Sequence, residues 1–322
     1  MVTLTPAPAI DKVYFLDEVR AGQVNRARRV ATYFAGNGVN VARTLWLAGN
    51  TVSAVLPASQ EDPAFSGCDD DEFMQVVRHV DVGSPIRTNA ILVDESGTTT
   101  NVNAHPAPLA HGQWARLCQA AAEEVRRVNP DWFVLGGALP LDTETGAPVD
   151  VRPLFGAIRS LGVRVCMDTA IGTAPLDWAK ACQPDLVKPN AAELAVMAGI
   201  PVRSLHDAEK AAAVVRAHGI NTVLASLGPD GILEVSDQGT LWARGPEAQV
   251  VNTTGAGDAA LAGYLSVPRH DGQKRGQPDE GLRRAVSWGA LAVQQATTVL
   301  PHIITDPIDV LVSSPEHDHQ LG

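Results

Sequence analysis

The residues best suited to chemistry form the string Asn252-Thr-Thr-Gly-Ala-Gly-Asp258, followed by the small apolar run Ala259–Leu265. Two glycines in the string let the backbone turn tightly and approach a ligand without a Cβ clash. The apolar run predicts a helix, whose first N–H groups have no partner within the helix and favour a bound anion or phosphate group. We expect four N–H groups to point at one spot: those of Gly255, Ala256, Gly257 and Asp258.

The carboxylate of Asp258 stands at the edge of this predicted cradle. A carboxylate there can accept the proton of a hydroxyl group while the amides hold the charge of a phosphoryl group in transfer. The simpler alternative is that Asp258 only caps a helix behind a glycine turn. A glycine turn with an aspartate leaves both interpretations open, and the full string is more specific.

Short apolar runs alternate with helical patterns along most of the chain. The runs are too continuous for strands with one exposed face, which indicates burial on both faces. The predicted strands are Thr51–Leu56, Trp132–Leu135, Val163–Met167, Leu186–Lys188, Thr222–Ser226 and Ile232–Val235. The predicted helices are Asn40–Ala48, Gln113–Arg127, Pro153–Leu161, Ala191–Ala198 and Asp207–His218. Strands that alternate with helices in this way predict an α/β fold with a doubly wound, mostly parallel sheet flanked by helices.

Two stretches, Val13–Val19 and Ile91–Val102, show more alternation and more turn residues than the rest. Within the second, Asp94-Glu-Ser-Gly97 separates two short runs and predicts a hairpin. We expect a small antiparallel β sheet beside the main sheet, in the position of a lid. An edge extension of the main sheet is the alternative. Glycine, proline and charge in Ser266–Asp279 predict a surface loop.

Composition limits the classes of protein that this chain can belong to. Its 322 residues, of which 45% are hydrophobic, suit one large domain with at most a small appendage. The net charge of −11 argues against a nucleic-acid backbone as the main partner. None of the 4 cysteines forms a CxxC pair, so the chain shows no sign of a zinc or disulfide framework.

The termini and the hydropathy predict a soluble cytoplasmic protein. No signal-like segment opens the chain, and no run offers the roughly 18 apolar residues that a membrane helix needs. The polar stretch Ser313–Gly322 contains His317 and His319 and could chelate a metal, but a frayed tail is the favoured interpretation.

The string Asn252–Asp258 resembles the signature of the ribokinase/PfkB family of carbohydrate kinases. Other segments resemble the family in order and spacing from about residue 3 to about residue 300: Thr5–Asp11, Gly22–Arg28, Gly36–Arg43, Arg87–Asn89, Lys188–Glu193 and Ser226–Gly231. The likeness is greatest to the branch of 1-phosphofructokinase and tagatose-6-phosphate kinase. It implies one ribokinase-like kinase domain over 1–322, with a lid formed by about 12–35 and 86–103.

The resemblance also implies a role for particular residues. Asp258 would be the catalytic base, with Gly255, Ala256 and Gly257 as the anion hole. The sugar or sugar phosphate would contact Asp11, Arg26, Gly38, Asn40, Arg87 and Asn89. ATP would contact Lys188, Asn190, Ser226, Gly228, Thr253 and Gly257. Asn190 and Glu193 would organise Mg²⁺ through water, and a monovalent cation as a further cofactor stays open.

Several of these residues also have ordinary structural interpretations. Asn40 could be a helix-start residue, Asp11 a turn residue, and Arg87 a solvated surface arginine. Asn190 and Glu193 have the spacing of a capping box, in which each side chain bonds the backbone of the other. Capping does not exclude a magnesium role, because Mg²⁺ keeps several waters and needs few direct carboxylates.

Three segments depart from the family pattern, all on the acceptor side. Asn37 stands where a lysine is common, and Gly136–Asp142 differs from the family's SGSLPPG, with Ala138 and Asp142 among the changes. Near a sugar phosphate, the carboxylate of Asp142 would repel it. Residues 103–108 lack the family's glycine-containing turn. These changes leave the phosphoryl-transfer residues intact and leave the identity of the acceptor open.

The sequence thus predicts a phosphotransferase that uses ATP to phosphorylate a sugar or sugar-phosphate hydroxyl, with a ketohexose phosphate as the foremost acceptor. A non-catalytic sugar-phosphate-binding or regulatory protein on a kinase scaffold is the alternative. A dinucleotide-binding dehydrogenase is disfavoured because Gly36-Asn-Gly38 continues as Val-Asn-Val without a third glycine. We expect small-molecule partners and neither nucleic acid nor membrane. Lid strands could pair between subunits, which leaves a homodimer open.

Overall fold

A 10-stranded sheet forms the centre of the protein. The computed structural model describes residues 1–58, 62, 71–83, 85–168, 181–267, 280–295, 297, 300, 302–303 and 309–322. The strands of the described residues, which include those of a second, smaller sheet, are β1 (Val2–Leu4), β2 (Ala9–Phe15), β3 (Arg29–Ala35), β4 (Ser53–Pro57), β5 (Val77–Val80), β6 (Arg87–Val93), β7 (Thr99–Val102), β8 (Trp132–Gly136), β9 (Arg164–Asp168), β10 (Leu186–Val187), β11 (Thr222–Ser226), β12 (Ile232–Ser236), β13 (Gly239–Arg244) and β14 (Leu311–Ser313).

The order of strands in the main sheet is β14-β13-β12-β11-β10-β9-β8-β1-β4-β5. Every neighbouring pair from β5 to β11 is parallel. The remaining pairs, from β11 to β14, are antiparallel and extend one edge. The mostly parallel sheet predicted from the continuous apolar runs is therefore confirmed, and each predicted strand of the main sheet is present within a few residues of its predicted bounds.

Helices cover both faces of this sheet. They are α1 (Asn37–Leu47), α2 (Asp71–Met74), α3 (His111–Val128), α4 (Arg152–Arg159), α5 (Ala191–Ala198), α6 (Leu205–Arg216), α7 (Ala256–Leu265) and α8 (Glu280–Val293). Side chains of β8 alternate between the faces: Phe133 and Leu135 pack with α3 to α6, whereas Trp132 and Val134 pack with α1, α7 and α8. This two-sided burial explains the lack of alternation in the strands and confirms the doubly wound α/β fold.

A 4-stranded second sheet, in the order β3-β2-β6-β7, stands beside the main one. The small antiparallel sheet is thus confirmed, and its two antiparallel pairs, β2 with β3 and β6 with β7, meet along parallel central strands β2 and β6. The predicted hairpin turns at Asp94–Gly97, where the Gly97 N–H bonds Asp94 O at 3.0 Å. At the base of the small sheet, Ile10 and Phe34 are buried against α1. This burial at the base gives β2 an earlier start than the predicted Val13.

The first helix begins at Asn37, earlier than the predicted Asn40. Gly36 precedes it with a φ of 135°, a conformation that an L side chain rarely adopts, so the chain can enter the helix directly after this glycine. A Cβ on Gly36 would also lie 2.7 Å from Thr5 Cγ2. The glycine therefore allows α1 to start directly against the end of β1.

The C-terminal segment 309–322 is docked onto the domain, so the predicted frayed tail is wrong. Strand β14 pairs with β13, the Leu205 N–H donates to His319 O at 3.0 Å, and the Leu321 N–H donates to Arg203 O at 2.9 Å. Backbone hydrogen bonds of this kind, which the polar composition did not suggest, hold the tail. The predicted loop Ser266–Asp279 lies almost wholly outside the described residues. In the described part of the chain, every helix is too short or too polar to cross a bilayer.

Candidate active site

Several of the predicted site residues, together with Asp168, gather at the carboxyl-terminal edge of the parallel strands. Asp168 ends β9, Lys188 follows β10, and Ser226 ends β11. The N-termini of α1 and α7 arrive at the same place, since Asn40 in the first helix donates from Nδ2 to Asp258 Oδ2 at 2.7 Å. Parallel α/β sheets bind ligands at this edge, because strand ends and helix N-termini with unpaired N–H groups converge there.

The start of α7 has most of the unpaired N–H groups that the predicted anion cradle requires. Gly255 precedes the helix with a φ of 82°, a left-handed conformation that suits glycine. Among the described residues, the N–H groups of Gly255, Gly257 and Asp258 have no hydrogen-bond acceptor. The Ala256 N–H instead bonds Thr253 O at 3.3 Å, so the prediction that it is free is wrong. The turn that brings the chain into the helix consumes this one donor and leaves the other amides unpaired.

Asp258 lies in a buried cluster of charged side chains. It is 7% exposed, and Lys188 and Asp168 are 8% and 5% exposed. Lys188 Nζ lies 3.2 Å from Asp168 Oδ1. Burial, with the negative charge of Asp168 as the next cause, raises the pKa of Asp258 to about 7, although the hydrogen bond from Asn40 and the charge of Lys188 oppose the rise. A carboxylate with such a pKa is suited to accept a proton near neutral pH.

Lys188 keeps its charge inside this cluster. Burial lowers the pKa of a lysine, but Asp168 and Asp258 outweigh that effect and raise the pKa of Lys188 above its ordinary value. A Cβ on Gly257 would lie 3.0 Å from Lys188 Nζ, so the absence of a side chain at Gly257 leaves room for the ammonium group beside the cradle. The cluster therefore places a buried carboxylate, unpaired amides and a charged lysine beside one another.

Asp168 is the member of this cluster that the sequence analysis missed. The available signal was its position, because an aspartate directly follows the predicted strand Val163–Met167 at the edge where the other site residues gather. One of its oxygens, Oδ2, is buried and has no hydrogen-bond partner in the described part of the chain. An unpaired buried carboxylate oxygen of this kind suits a ligand or a hydrated cation.

The base of the small sheet holds a second polar group. Asp11 and Asn89 face each other in the register of β2 and β6, and Asn89 Nδ2 donates to Asp11 Oδ1 at 2.9 Å. Asn89 Oδ1 accepts the Ala104 N–H at 3.1 Å, which fixes the orientation of the amide. Burial raises the pKa of Asp11, against the opposing effects of Asn89, Arg87 and Arg43. The structure thus brings together two of the six residues that the resemblance assigned to the sugar or sugar phosphate.

Arg87, which begins β6, is not a solvated surface arginine. Its Nη1 donates to Ala104 O at 2.6 Å and its Nη2 to Ala7 O at 3.2 Å. Burial lowers the pKa of its guanidinium, and the charge of Asp11 opposes that shift. Arg26 differs: it is exposed in the segment between β2 and β3 and makes no hydrogen bond or ion pair with a described residue. The resemblance places both arginines near the sugar phosphate, and of the two only Arg87 is held by hydrogen bonds to described residues.

Close backbone packing positions the first turn of α1. A Cβ on Gly38 would lie 2.5 Å from Thr5 Oγ1, and one on Gly136 would lie 2.6 Å from the backbone N of Gly38. Gly38 is thus required for the contact between α1, β1 and the end of β8, whatever it contributes to a sugar. Asn37 begins the helix beside this contact.

The departure at Asp142 has a local structural explanation. Its Oδ1 accepts the N–H groups of Glu144 and Thr145, both at 2.9 Å, and these bonds lower the pKa of Asp142. The carboxylate thus stabilises its own turn in the way that aspartate commonly does. This turn accounts for Asp142 without any contact to an acceptor.

The nucleotide-side residues follow β10 and β11. Asn190 and Glu193 form the predicted capping box at the start of α5, with both reciprocal hydrogen bonds at 2.9 Å. The charge of Glu193 also contributes to the raised pKa of Lys188, so this carboxylate acts on the buried cluster. Oxygen donors from a carboxylate and an amide fit a hydrated Mg²⁺ ion. The capping interpretation is confirmed, and it leaves the magnesium interpretation open as before.

The other predicted ATP residues lie in turns near this edge. The Ser226 N–H bonds Pro189 O at 3.0 Å, which joins the ends of β10 and β11. Gly228, with a φ of 63°, opens the short 3₁₀ turn Gly228–Asp230, and Thr253 is exposed in the turn before α7.

Comparisons with known proteins agree with this geometry. The model of the pfkB family carbohydrate kinases matches residues 5–304. A 1-phosphofructokinase of Xanthomonas campestris is 30% identical, with 97% of each chain covered, and one of Vibrio cholerae is 28% identical over 92% of this chain and 90% of its own. The crystal structure of phosphofructokinase-2 from Escherichia coli in complex with potassium superposes with a TM-score of 0.76 at 24% identity, covering 94% of this chain and 95% of the other. The chain belongs to the pfkB family of carbohydrate kinases, phosphotransferases that act on a sugar hydroxyl.

Proposed function

We propose that this chain uses Mg·ATP to phosphorylate a hydroxyl group of a ketohexose phosphate, with Asp258 as the catalytic base. The observation that carries the proposal is the position of Asp258: a buried carboxylate with its pKa raised to about 7, beside the unpaired N–H groups of Gly255 and Gly257. The curated relatives named above are 1-phosphofructokinases, which makes a phosphorylated ketohexose the first acceptor to test.

In this mechanism, the residues of the chain position and deprotonate the acceptor. Asp11, Asn89 and Asn40 would hold the sugar hydroxyls, with the reacting hydroxyl against Asp258. Asp258 accepts the proton late, since the transition state of phosphoryl transfer is loose and the attacking oxygen becomes acidic only as its bond to phosphorus forms. The amides of Gly255 and Gly257 and the ammonium of Lys188 would balance the charge that develops on the transferring group.

Asn190 and Glu193 would hold Mg²⁺ through water, near the phosphates that Ser226, Gly228 and Thr253 approach. Bound Mg²⁺ would neutralise part of the phosphate charge. Asp168 supports this assignment, because its Oδ1 lies 3.2 Å from Lys188 Nζ and its buried Oδ2 has no partner among the described residues. The need for a monovalent cation is tested by the same assay in potassium and in sodium salts.

Arg87, and Arg26 when the small sheet closes, would bind the phosphate of the acceptor, because a guanidinium suits a phosphate oxygen pair. The small sheet, from about 12–35 and 86–103, would act as a lid that excludes water and so limits hydrolysis of ATP. We also propose that residues 1–322 form a single kinase domain into which this lid is inserted. The hydrogen bond from Asn89 to Asp11, at the base of the small sheet, supports this arrangement.

We further propose that the small sheet pairs two copies of the chain as a homodimer. Its outer strands β3 and β7 have no further neighbour strand among the described residues, and Val30 and Val102 on them are 50% and 58% exposed. Exposed apolar side chains on a free strand edge favour pairing with another chain. Light scattering coupled to size exclusion would give the mass, and Val30→Lys should convert a dimer to a monomer. A wild-type chain that is monomeric at assay concentrations contradicts this proposal.

The experiment that tests the activity is a coupled ADP-release assay over a panel of sugars and sugar phosphates, with the Asp258→Asn variant beside the wild type. We expect ADP formation that depends on one ketohexose phosphate, and a loss of turnover by about 10²- to 10⁴-fold in Asp258→Asn, the usual contribution of a general base. ATP binding, measured by calorimetry, should stay nearly unchanged, since the asparagine keeps the shape of the side chain.

Asp142→Asn is the matched control, because Asp142 is another carboxylate on the predicted acceptor side and bonds only its own turn. Its turnover should equal that of the wild type. Near wild-type turnover in Asp258→Asn would show that Asp258 is not the base. A ligand-induced shift in melting temperature without any ADP formation across the panel would instead favour the non-catalytic binding protein.

A further inference from the structure

The docked C-terminal tail places a group of metal-binding side chains on the outside of α6. His206 and Glu209 lie three residues apart on this helix and so share one face. His317 reaches them from the tail, with its Nε2 2.9 Å from Glu209 Oε2. The rings of His206 and His317 are 5.1 Å apart between centroids. Residues distant in sequence therefore converge, and the proposed kinase mechanism uses none of them.

The spacing of the donor atoms suits a small divalent ion. One donor atom from each of the three side chains lies within 4.8 Å of the others. In a tetrahedral zinc site with bonds of about 2.0–2.1 Å, donor atoms are roughly 3.3 Å apart. Small side-chain rotations would bring the three donors to that spacing. Two imidazoles and one carboxylate, with the fourth position open to water, are a donor set that zinc commonly takes.

Two further observations favour a ligand over a simple surface contact. His206 Nδ1 is buried and has no hydrogen-bond partner among the described residues, which is unusual for a buried ring nitrogen. The contact of His317 with Glu209 is more than half exposed on the histidine side, and an exposed ion pair contributes little stability by itself. A simple ion pair would not need His206 as a third partner, whereas a metal ion would.

We propose that His206, Glu209 and His317 form a binding site for a zinc-type divalent cation that fastens the C-terminal tail to α6. Residues beyond His317 make further contacts: His319 Nε2 lies 2.6 Å from Asp230 Oδ1, and the Gly322 N–H donates to Asp230 Oδ2 at 2.9 Å. Asp230 belongs to the turn Gly228–Asp230, so the fastened tail also holds the turn that we assign to ATP.

The test is a titration of the full chain, without an affinity tag and freed of metal by a chelator, with Zn²⁺ in the presence of excess Mg²⁺. The excess Mg²⁺ occupies the cation position of the kinase site. We expect one Zn²⁺ per chain by calorimetry and a rise in melting temperature on binding. Co²⁺ in place of Zn²⁺ should give the strong visible absorption of a four-coordinate ion.

The variants decide whether the three named residues bind the metal. His206→Ala and His317→Ala should each weaken Zn²⁺ binding by at least about tenfold, the loss that even a supporting residue of a metal site produces. Asp318→Asn, in the same tail, and His111→Ala, an exposed histidine on α3, are the matched controls and should bind like the wild type. The proposal is overturned if the wild type binds no Zn²⁺, if the controls lose as much as the variants, or if the His206→Ala/His317→Ala double variant still binds one equivalent. Kinase activity does not enter this test, so its outcome is independent of the proposed function.

Discussion

Two regions of the molecule hold carboxylates that we assign to the sugar, and they are built differently. Around Asp258, two charged and deeply buried side chains, Lys188 and Asp168, are joined by the neutral, buried amide of Asn40. At the base of the small sheet, Asp11 is paired with Asn89, and the nearby guanidinium of Arg87 gives its hydrogen bonds to backbone carbonyl oxygens. The first region has a charge distribution set by side chains, and the second has a geometry set by the backbone.

This difference in construction indicates how the region around Asp258 and the region around Arg87 would each act. In the Asp258 region, buried charges shift pKa values, which prepares the site for proton transfer and for a transferring phosphoryl group. In the Arg87 region, hydrogen bonds to the backbone fix the direction of the side chains that we propose to recognise the acceptor. Changes around Asp258 should therefore alter the pH dependence and the rate, whereas changes around Arg87 should alter the selection of the acceptor.

The largest expected effect concerns the pH dependence. Asp258 must be deprotonated to act as a base, and its pKa is about 7, so kcat/KM for the acceptor should fall about tenfold for each pH unit below that value. Asn40→Ala removes a hydrogen bond that lowers the pKa of Asp258, and it should move this acid limb to higher pH. Initial rates between pH 5 and 9 measure both.

The phosphate of the acceptor also titrates, with a second pKa near 6. That titration is a property of the substrate and is the same for the wild type and for Asn40→Ala. An acid limb at the same pH in both enzymes would therefore assign it to the substrate and would contradict the role of Asp258.

The second prediction separates acceptor recognition from structure at Arg87. Arg87→Ala should raise the KM for a phosphorylated acceptor by about 10- to 100-fold, because hydrogen bonds to charged groups contribute roughly 1.5–3 kcal/mol. Arg26→Ala is the comparison, since that side chain is exposed and should give a smaller rise with an unchanged melting temperature. Steady-state kinetics with phosphorylated and unphosphorylated sugars are the measurement.

If Arg87 only supports the backbone at Ala7 and Ala104, the result is different. The melting temperature of Arg87→Ala would fall, and the KM values for phosphorylated and unphosphorylated sugars would change by the same factor. Equal changes would remove Arg87 from the proposed phosphate site while leaving Asp258 untouched.

The contrast between the two regions also explains which site residues could be predicted from the sequence and which could not. Asp258 and Asn40 lie in the first turns of helices behind glycines, and such positions are readable because glycine, helix start and strand end each leave a local pattern. Asp168 was missed because its role depends on Lys188, a contact between the ends of two different strands. The docked tail was missed for a similar reason, since its polar residues bond a backbone that is far away in sequence.

On the acceptor side, the sequence gives residue types without their partners. The resemblance assigned both Arg87 and Arg26 to the sugar or sugar phosphate, yet only Arg87 is held by backbone carbonyl oxygens. The carboxylate of Asp142 suggested repulsion, and its hydrogen bonds lie within its own turn instead. Local patterns thus predicted the helix starts and strand ends near Asp258, but they did not predict the hydrogen-bond partners of Arg87, Arg26 and Asp142.

The third prediction tests whether Glu193 acts as a cap or also through its charge. Glu193→Gln keeps a side chain that can complete the capping box and removes the negative charge. We expect an unchanged melting temperature and an apparent affinity for Mg²⁺ weakened by about tenfold. Glu193→Ala loses both functions, so it should also melt at a lower temperature. Activity titrated with Mg²⁺ would show the effect, and an unchanged Mg²⁺ dependence in Glu193→Gln would reduce Glu193 to a cap.

The smallest expected effect is on stability, and it follows from the burial of Asp258. Because its folded pKa, about 7, lies above its ordinary value of 3.8, the folded protein binds more protons than the unfolded chain between these two pH values. Stability contributed by the protonated group is therefore present below about pH 4 and is lost as the pH rises through 7.

Asp258→Asn, which cannot ionise, should raise the melting temperature by a few degrees at pH 8 and by less at pH 5. Calorimetric melting at both pH values tests this, with Asp142→Asn as the control, because its pKa is lowered and its charge is favourable in the folded state. Equal melting temperatures for the wild type and Asp258→Asn at pH 8 would mean that Lys188 fully compensates the buried charge, and the contrast between the two regions would then be one of geometry alone.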